Sequence, residues 1–199
     1  VNPFSRFFAK PAPLFIVSGL PRSGTSLMMQ MLGAGGLPLL IDSHRPPDAS
    51  NPRGYYEYWA VKRMHLGETA WLGSASGRAV KIVSALLTTL PPDLPARVIF
   101  MTRDLDEVVR SQRAMLERLG KPTHALDPSA LKAEYAAHLE VVRRWMRTRP
   151  DLSFIDVPYV EMVCRPSEHI GRVAEFVGGK LDTTAMTAVI DPTLYRERR

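Results

Sequence analysis

The chain has one cysteine, Cys164, in 199 residues. That excludes an internal disulfide, leaves no thiolate cluster for zinc, and fits a reducing, cytoplasmic setting. No apolar run approaches the roughly 18 residues that cross a bilayer. Phe4, Phe7, Phe8 and Phe15 are interrupted by Arg6, Lys10 and two prolines, which is not the apolar core of a secretory leader. Internal repeats and low-complexity tracts are absent too, and acidic residues fall short of basic ones, 20 against 26. The resulting formal charge of +6 suits an anionic ligand or an acidic partner surface. Its arginines are dispersed, however, and no nucleic-acid reader motif accompanies them, so no nucleic-acid partner is expected.

What is present is ordinary globular composition, 45% apolar and 23% charged. Four short apolar runs, 14–18, 79–84, 97–102 and 152–157, read as strands buried on both faces. They alternate with helical candidates at 23–32, 105–119, 129–148 and 167–177. In the third of these Leu131, Tyr135, Leu139, Val142 and Met146 recur at helical spacing, opposite Lys132, Glu134, Glu140 and Arg143. The alternation predicts an α/β fold, a three-layer α/β/α sandwich around a central parallel sheet. We expect one domain over 1–199. Within it, 33–77 is rich in Gly, Pro and aromatic residues, carries only a weak helical pattern over 58–67, and reads as a lid or acceptor-binding segment. The residues from Asp182 onward give no clear element.

The most informative stretch is Gly19-Leu20-Pro21-Arg22-Ser23-Gly24-Thr25-Ser26, where a strand turns into a helix. A helix start offers unpaired N–H groups and the positive end of the helix dipole, a natural seat for phosphate or sulfate. The frame is that of the phosphate-binding loop of nucleoside triphosphatases, G-x-x-x-x-G-K-[ST]. Thr25 stands where that loop has lysine, and the strong cation has moved back to Arg22. A fixed guanidinium there can embrace a transferring anion and neutralise charge on its bridging oxygen. A second cationic patch follows the strand at 97–102: Arg103 lies at the strand-to-helix switch and Ser111 eight positions later, about two turns on and on the same side. Bent back over the helix start, Arg103 could share a phosphate with Ser111, or it could pair with Asp104 or Asp106. Asp104 also imitates a strand-end carboxylate that holds a metal.

The two patches together resemble the sulfotransferase family that uses 3′-phosphoadenosine 5′-phosphosulfate (PAPS). Its loop, P-[KR]-S-G-T-[ST], is matched by Pro21, Arg22, Ser23, Gly24, Thr25 and Ser26, and its Arg followed eight positions later by Ser is matched by Arg103 and Ser111. The spelling is most similar to the bacterial and tyrosyl-protein branches. The resemblance implies a fold like that of P-loop nucleoside-triphosphate hydrolases, no metal, and in-line transfer of a sulfuryl group to a hydroxyl or amine acceptor. It implies that the loop binds the 5′-phosphosulfate, and Arg103 with Ser111 the 3′-phosphate.

Arg22 is then the cation at the leaving oxygen. Lys81, inside an apolar strand, resembles the family's strand-end lysine that contacts the sulfuryl group; a buried lysine is costly unless it emerges at an anion site. The histidine of cytosolic relatives, two positions after that lysine, is replaced by Val83. The base expected instead is Glu57, within an Asn51-Pro52-Arg53-Gly54-Tyr55-Tyr56-Glu57 segment that looks like one in bacterial sulfotransferases. Asp42 and His44 are reserves, and Tyr55, Tyr56, Tyr58 and Trp59 either line an acceptor pocket or fill the core. The family's late basic segment is absent unless Arg196, Arg198 and Arg199 serve, and the chain is short for a full member. Two other readings stay open at this point: a magnesium-dependent P-loop kinase or nucleoside triphosphatase, and a non-catalytic anion-binding module.

Overall fold

A computed structural model describes residues 12–122, 127–178 and 180–195. Strand β1 (Leu14–Gly19) runs through the anion loop into α1 (Thr25–Ala34). After the 33–77 segment come β2 (Ala79–Lys81), α2 (Ser84–Leu87), β3 (Ala96–Thr102) and α3 (Leu105–Arg118). Then follow α4 (Pro128–Arg147), β4 (Leu152–Pro158), α5 (Tyr159–Cys164), α6 (Pro166–Val177) and α7 (Thr183–Ala188). The strands form one parallel sheet in the order β2-β1-β3-β4, with Val17 beside Lys81 on one flank and Ile99 on the other.

Alternate residues of the strands feed two cores, one on each face. Val17, Ile99 and Met101 pack with Met28, Met29 and Leu32 of α1 and with Ile170 and Val173 of α6. Ile16, Val98 and Phe100 pack with Leu87 of α2 and with Val142 and Met146 of α4. Burying each such side chain contributes about 1.5–3 kcal/mol, which explains why the strands read as continuous apolar runs. The three-layer α/β/α architecture expected from the sequence is the one observed.

Boundaries shift where backbone geometry intervenes. Helix α1 begins two residues later than expected because Arg22 (φ 70°) and Gly24 (φ 96°) are left-handed and cannot be helical. Strand β2 is shorter than expected: Val83 is extended, and Ser84 already opens α2. The unassigned end contains α7, capped by Asp182, whose carboxylate accepts from Ala185 N at 2.9 Å. This helix docks on α1 through Asp182 N to Gly35 O at 3.0 Å, with Met186 against Gly35. Phe4, Phe7, Phe8, Arg196, Arg198 and Arg199 lie outside the described residues. No helix among the described residues is long and apolar enough to cross a membrane.

The 33–77 segment starts as an edge of the sheet, with Leu40 N donating to Ala79 O at 2.7 Å. It then doubles back, pairing Asp42 N with Glu57 O at 2.9 Å, and ends in two 3₁₀ helices, Trp59–Leu66 and Ala70–Ser74. This path brings 50–57 over the carboxyl ends of β1 and β2.

Candidate active site

The loop after β1 is shaped by close approach. A Cβ on Gly19 would lie 2.5 Å from Met101 O, and one on Gly24 2.3 Å from Tyr159 Cδ2, and both residues have positive φ. Ser23 is buried beneath the loop, its hydroxyl donating to Leu20 O at 2.7 Å. Helices α3 and α4 are capped by Asp104 and Asp127, whereas α1 starts on Gly24 with no side-chain cap and no acid in its first turn. The amide groups of that turn are therefore left for an anion.

Arg22 stands at the crest. Its Nε donates to Ser111 Oγ at 3.0 Å and its Nη2 to Ser50 O at 3.1 Å, while Arg103 Nη1 donates to Arg22 O at 3.0 Å. The two sequence patches thus meet in one place. The contact differs from the expected pairing: Ser111 turns its oxygen to Arg22, and Arg103 pairs with Glu107 (Nε to Oε2, 2.9 Å) instead of Asp104 or Asp106. Asp104 is consumed as the α3 cap, accepting from Asp106 N and Glu107 N, so the metal-ligand look of that carboxylate has a local explanation. Burial, the larger cause, lowers the Arg22 pKa from its ordinary value, and the neighbouring Arg103 and Arg118 add to the effect.

Lys81 ends β2 and is 6% exposed. Its ammonium donates to Tyr55 O and, at 3.3 Å, to Ser26 Oγ, and lies 3.5 Å from Glu57 Oε1. Desolvation lowers its pKa to about 8, with Glu57 opposing. Glu57 also meets Arg45 Nη1 at 2.9 Å and Lys62 Nζ at 3.1 Å. Desolvation alone would raise the Glu57 pKa, but Lys81, Lys62 and Arg45 together hold it below the ordinary carboxylate value. Ser26 Oγ accepts from Asn51 Nδ2 at 3.0 Å, so the 50–57 strap touches both the loop and the lysine.

These groups line one cavity of about 390 Å³. Pro21, Arg22, Gly24, Thr25, Ser26, Glu57, Lys81, Arg103 and Ser111 all reach it, whereas Ser23, Asp42 and His44 do not. Among the described residues its walls carry six cations, Arg22, Arg45, Arg53, Lys81, Arg103 and Arg118, against the carboxylates Glu57 and Asp191. Such an imbalance fits a multiply charged anion.

Of the four aromatic candidates, Tyr55 lines the cavity, with its hydroxyl on Asp48 at 2.7 Å and Arg45 stacked 3.3 Å from its ring centroid. Tyr58 packs edge-on against Trp71, and Trp59 is 47% exposed and stacked on His44. Tyr56 lies at a shallower neighbouring hollow.

Sequence reasoning missed Arg45, Glu107, Arg118, Tyr159 and Tyr195. Glu107 is signalled by its i, i+4 spacing from Arg103, and Tyr159 by its place just past the carboxyl end of β4.

A model of the sulfotransferase family matches residues 63–183. The chain belongs to that family. The matched span takes in Lys81, Arg103 and Ser111; the anion loop and Glu57 lie ahead of it. Solved structures place this sulfotransferase in the same fold. Sulfotransferase STF1 from Mycobacterium tuberculosis H37Rv is 17% identical over 97% of this chain and 76% of its own, with a TM-score of 0.59. The sulfotransferase domain of the Synechococcus PCC 7002 olefin synthase is 17% identical over 95% and 84%, with a TM-score of 0.54. Retinol dehydratase, solved with retinol and PAP, is 16% identical, with a TM-score of 0.55; the match covers 91% of this chain and 64% of that one. Among curated proteins no match was found.

Proposed function

We propose that this sulfotransferase moves the sulfuryl group of 3′-phosphoadenosine 5′-phosphosulfate to a hydroxyl or amine acceptor by in-line displacement. The observation that carries the reading is the junction of the two cationic patches: Arg22, Ser111 and Arg103 meet at the uncapped start of α1, in a cavity rich in arginine and lysine. The retinol dehydratase structure with PAP supports the same nucleotide.

In this mechanism the amides of the α1 first turn, with Thr25 and Ser26, hold the phosphosulfate, and Arg103 with Ser111 holds the 3′-phosphate. The acceptor oxygen or nitrogen forms a bond to sulfur as the bond from sulfur to the bridging oxygen breaks, and adenosine 3′,5′-bisphosphate leaves with that electron pair. Arg22 and Lys81 neutralise the charge that grows on the bridging and sulfuryl oxygens. Glu57 takes the proton from the acceptor, which enters beneath the 33–77 segment. The retinol dehydratase structures hold retinol or androsterone, both hydroxyl compounds, which supports the acceptor chemistry.

The test is thermal unfolding with adenosine 3′,5′-bisphosphate or AMP, in chelator and without magnesium. The bisphosphate should stabilise by about 2.7 kcal/mol at a hundredfold excess over its Kd, and AMP by much less. Equal shifts would remove the 3′-phosphate role of Arg103 and Ser111.

A further inference from the structure

Arg103 is held more tightly than a surface arginine needs to be. Its Nε donates to Glu107 Oε2 at 2.9 Å, and the two side chains are 7% and 3% exposed. The other oxygen of Glu107, Oε1, accepts from the hydroxyl of Tyr195 at 2.7 Å, from a residue 88 positions further along the chain. The guanidinium carbon lies 4.7 Å from the ring centroid of Tyr159 and 5.3 Å from that of Tyr195, and the two rings meet edge-on at 5.4 Å. Tyr159 in turn abuts Gly24 of the anion loop.

A guanidinium is a rigid planar fork, so fixing its Nε edge and walling its faces fixes where its terminal nitrogens point. Burying an ion pair gives little net stability, because desolvation cancels most of the attraction. Arg103 nevertheless keeps one edge on Glu107 and another on Arg22 O, at the rim of the cavity. Burial, then the Glu107 hydrogen bond, raises the Tyr195 pKa to about 12, so its hydroxyl stays a donor well above neutral pH.

We infer that Tyr195 and Glu107 are positioning residues that aim Arg103 at the 3′-phosphate, making the segment after α7 part of the nucleotide-selecting device. Tyr195 tightens the carboxylate, the carboxylate fixes the guanidinium, and the two tyrosine rings prevent it from swinging out. The inference rests on the PAPS reading above, and it assigns 3′-phosphate selectivity to residues that do not touch the phosphate.

The experiment is titration calorimetry of adenosine 3′,5′-bisphosphate and of AMP on the full chain, on Tyr195→Phe and on Glu107→Gln, with thermal unfolding to confirm that each variant is folded. The quantity read is the preference for the bisphosphate over AMP. Tyr195→Phe should lower it about tenfold, the loss expected for one hydrogen bond to a charged group, with AMP affinity held. The donor KM should rise in step while kcat stays. Glu107→Gln should lower the preference at least as far; if that variant does not fold, Tyr195→Phe decides alone, since it removes one oxygen. A preference unchanged in folded variants, whatever happens to the melting temperature, means the cluster only packs and overturns the inference while the PAPS reading stands. No preference in the wild-type chain would sink both.

Discussion

Arg22 Nε donates to Ser111 Oγ at 3.0 Å, joining the crest of the β1–α1 loop to the second turn of α3 across 89 positions of sequence. The two residues were expected at opposite ends of a nucleotide, and they touch. A phosphosulfate at the crest therefore competes with Ser111 and with Ser50 O for the N–H groups of Arg22. Arg22 itself has a left-handed backbone conformation, φ 70°, a strained state of the kind that persists at functional sites when surrounding contacts over-determine it.

Replacing Arg22 by Ala should lower kcat about 10²–10³-fold, the loss typical of removing one preorganised donor from a developing charge. Binding of adenosine 3′,5′-bisphosphate, which lacks the sulfuryl group, should weaken much less. Turnover measured beside calorimetric affinity checks this. Equal losses in both would make Arg22 a docking residue.

Gly24→Ala and Gly36→Ala separate two costs of leaving glycine. Both positions have φ near +95°, but a Cβ at Gly24 meets Tyr159 at 2.3 Å, whereas at Gly36 nothing lies within 4 Å. Gly36→Ala should cost about 1–2 kcal/mol for the left-handed backbone alone. Gly24→Ala should cost more and abolish nucleotide binding, since the loop must move to admit the methyl group. Denaturant unfolding and a nucleotide-induced melting shift measure the two effects. Equal destabilisation would mean that Tyr159 yields freely.

How much of this was legible in the sequence depends on the range of the forces involved. Both faces of β1 and β3 are buried, so runs such as Val98-Ile99-Phe100-Met101 announce strands without any tertiary information. Helices α3 and α4 carry their own caps, Asp104 and Asp127, beside clear periodicity. The anion loop was readable because glycine spacing and a strand-to-helix switch are local. Arg45 over Tyr55, joined across an irregular segment with no helical or strand periodicity to relate them, and Tyr195 behind Arg103, in a distant part of the chain, were not. The 33–77 segment falls between these cases. Its composition marks it as irregular, but its path over the site is set by long-range bonds such as Asn51 to Ser26 and Arg53 to Asp191.

Lys81 makes stability depend on pH with a definite sign. Its folded pKa, about 8 from a usual 10.5, lies below that of the unfolded chain, so between these values the unfolded state binds more protons. Stability from this residue therefore rises with pH across that window, and its full cost, about 3 kcal/mol, is present below pH 8. Lys81→Met should remove the slope. The difference in unfolding free energy between wild type and variant, followed from pH 7 to 10.5, should shift in favour of the wild type. A flat difference would mean that Lys81 is solvated in solution.

The same two groups should shape the rate profile. Glu57 is held below its usual pKa, so it stays ionised and able to accept a proton down to pH values below the ordinary carboxylate range. Lys81 loses its proton near pH 8 in the free protein. The plot of kcat/KM for the donor should thus fall on the basic side near pH 8. In the kcat plot that limb should move upward, because a bound anion beside the ammonium favours its charged form. Glu57→Gln should lower kcat about 10²–10⁴-fold if the carboxylate takes the acceptor proton, and much less if its task is to pair with Lys81, Lys62 and Arg45. In either case the basic limb of kcat/KM should move to lower pH, since Lys81 would have lost the neighbour that opposes its desolvation. Rate profiles of both proteins with one acceptor separate a base from an electrostatic anchor by the height of the plateau, while the position of that limb checks the coupling of Glu57 to Lys81.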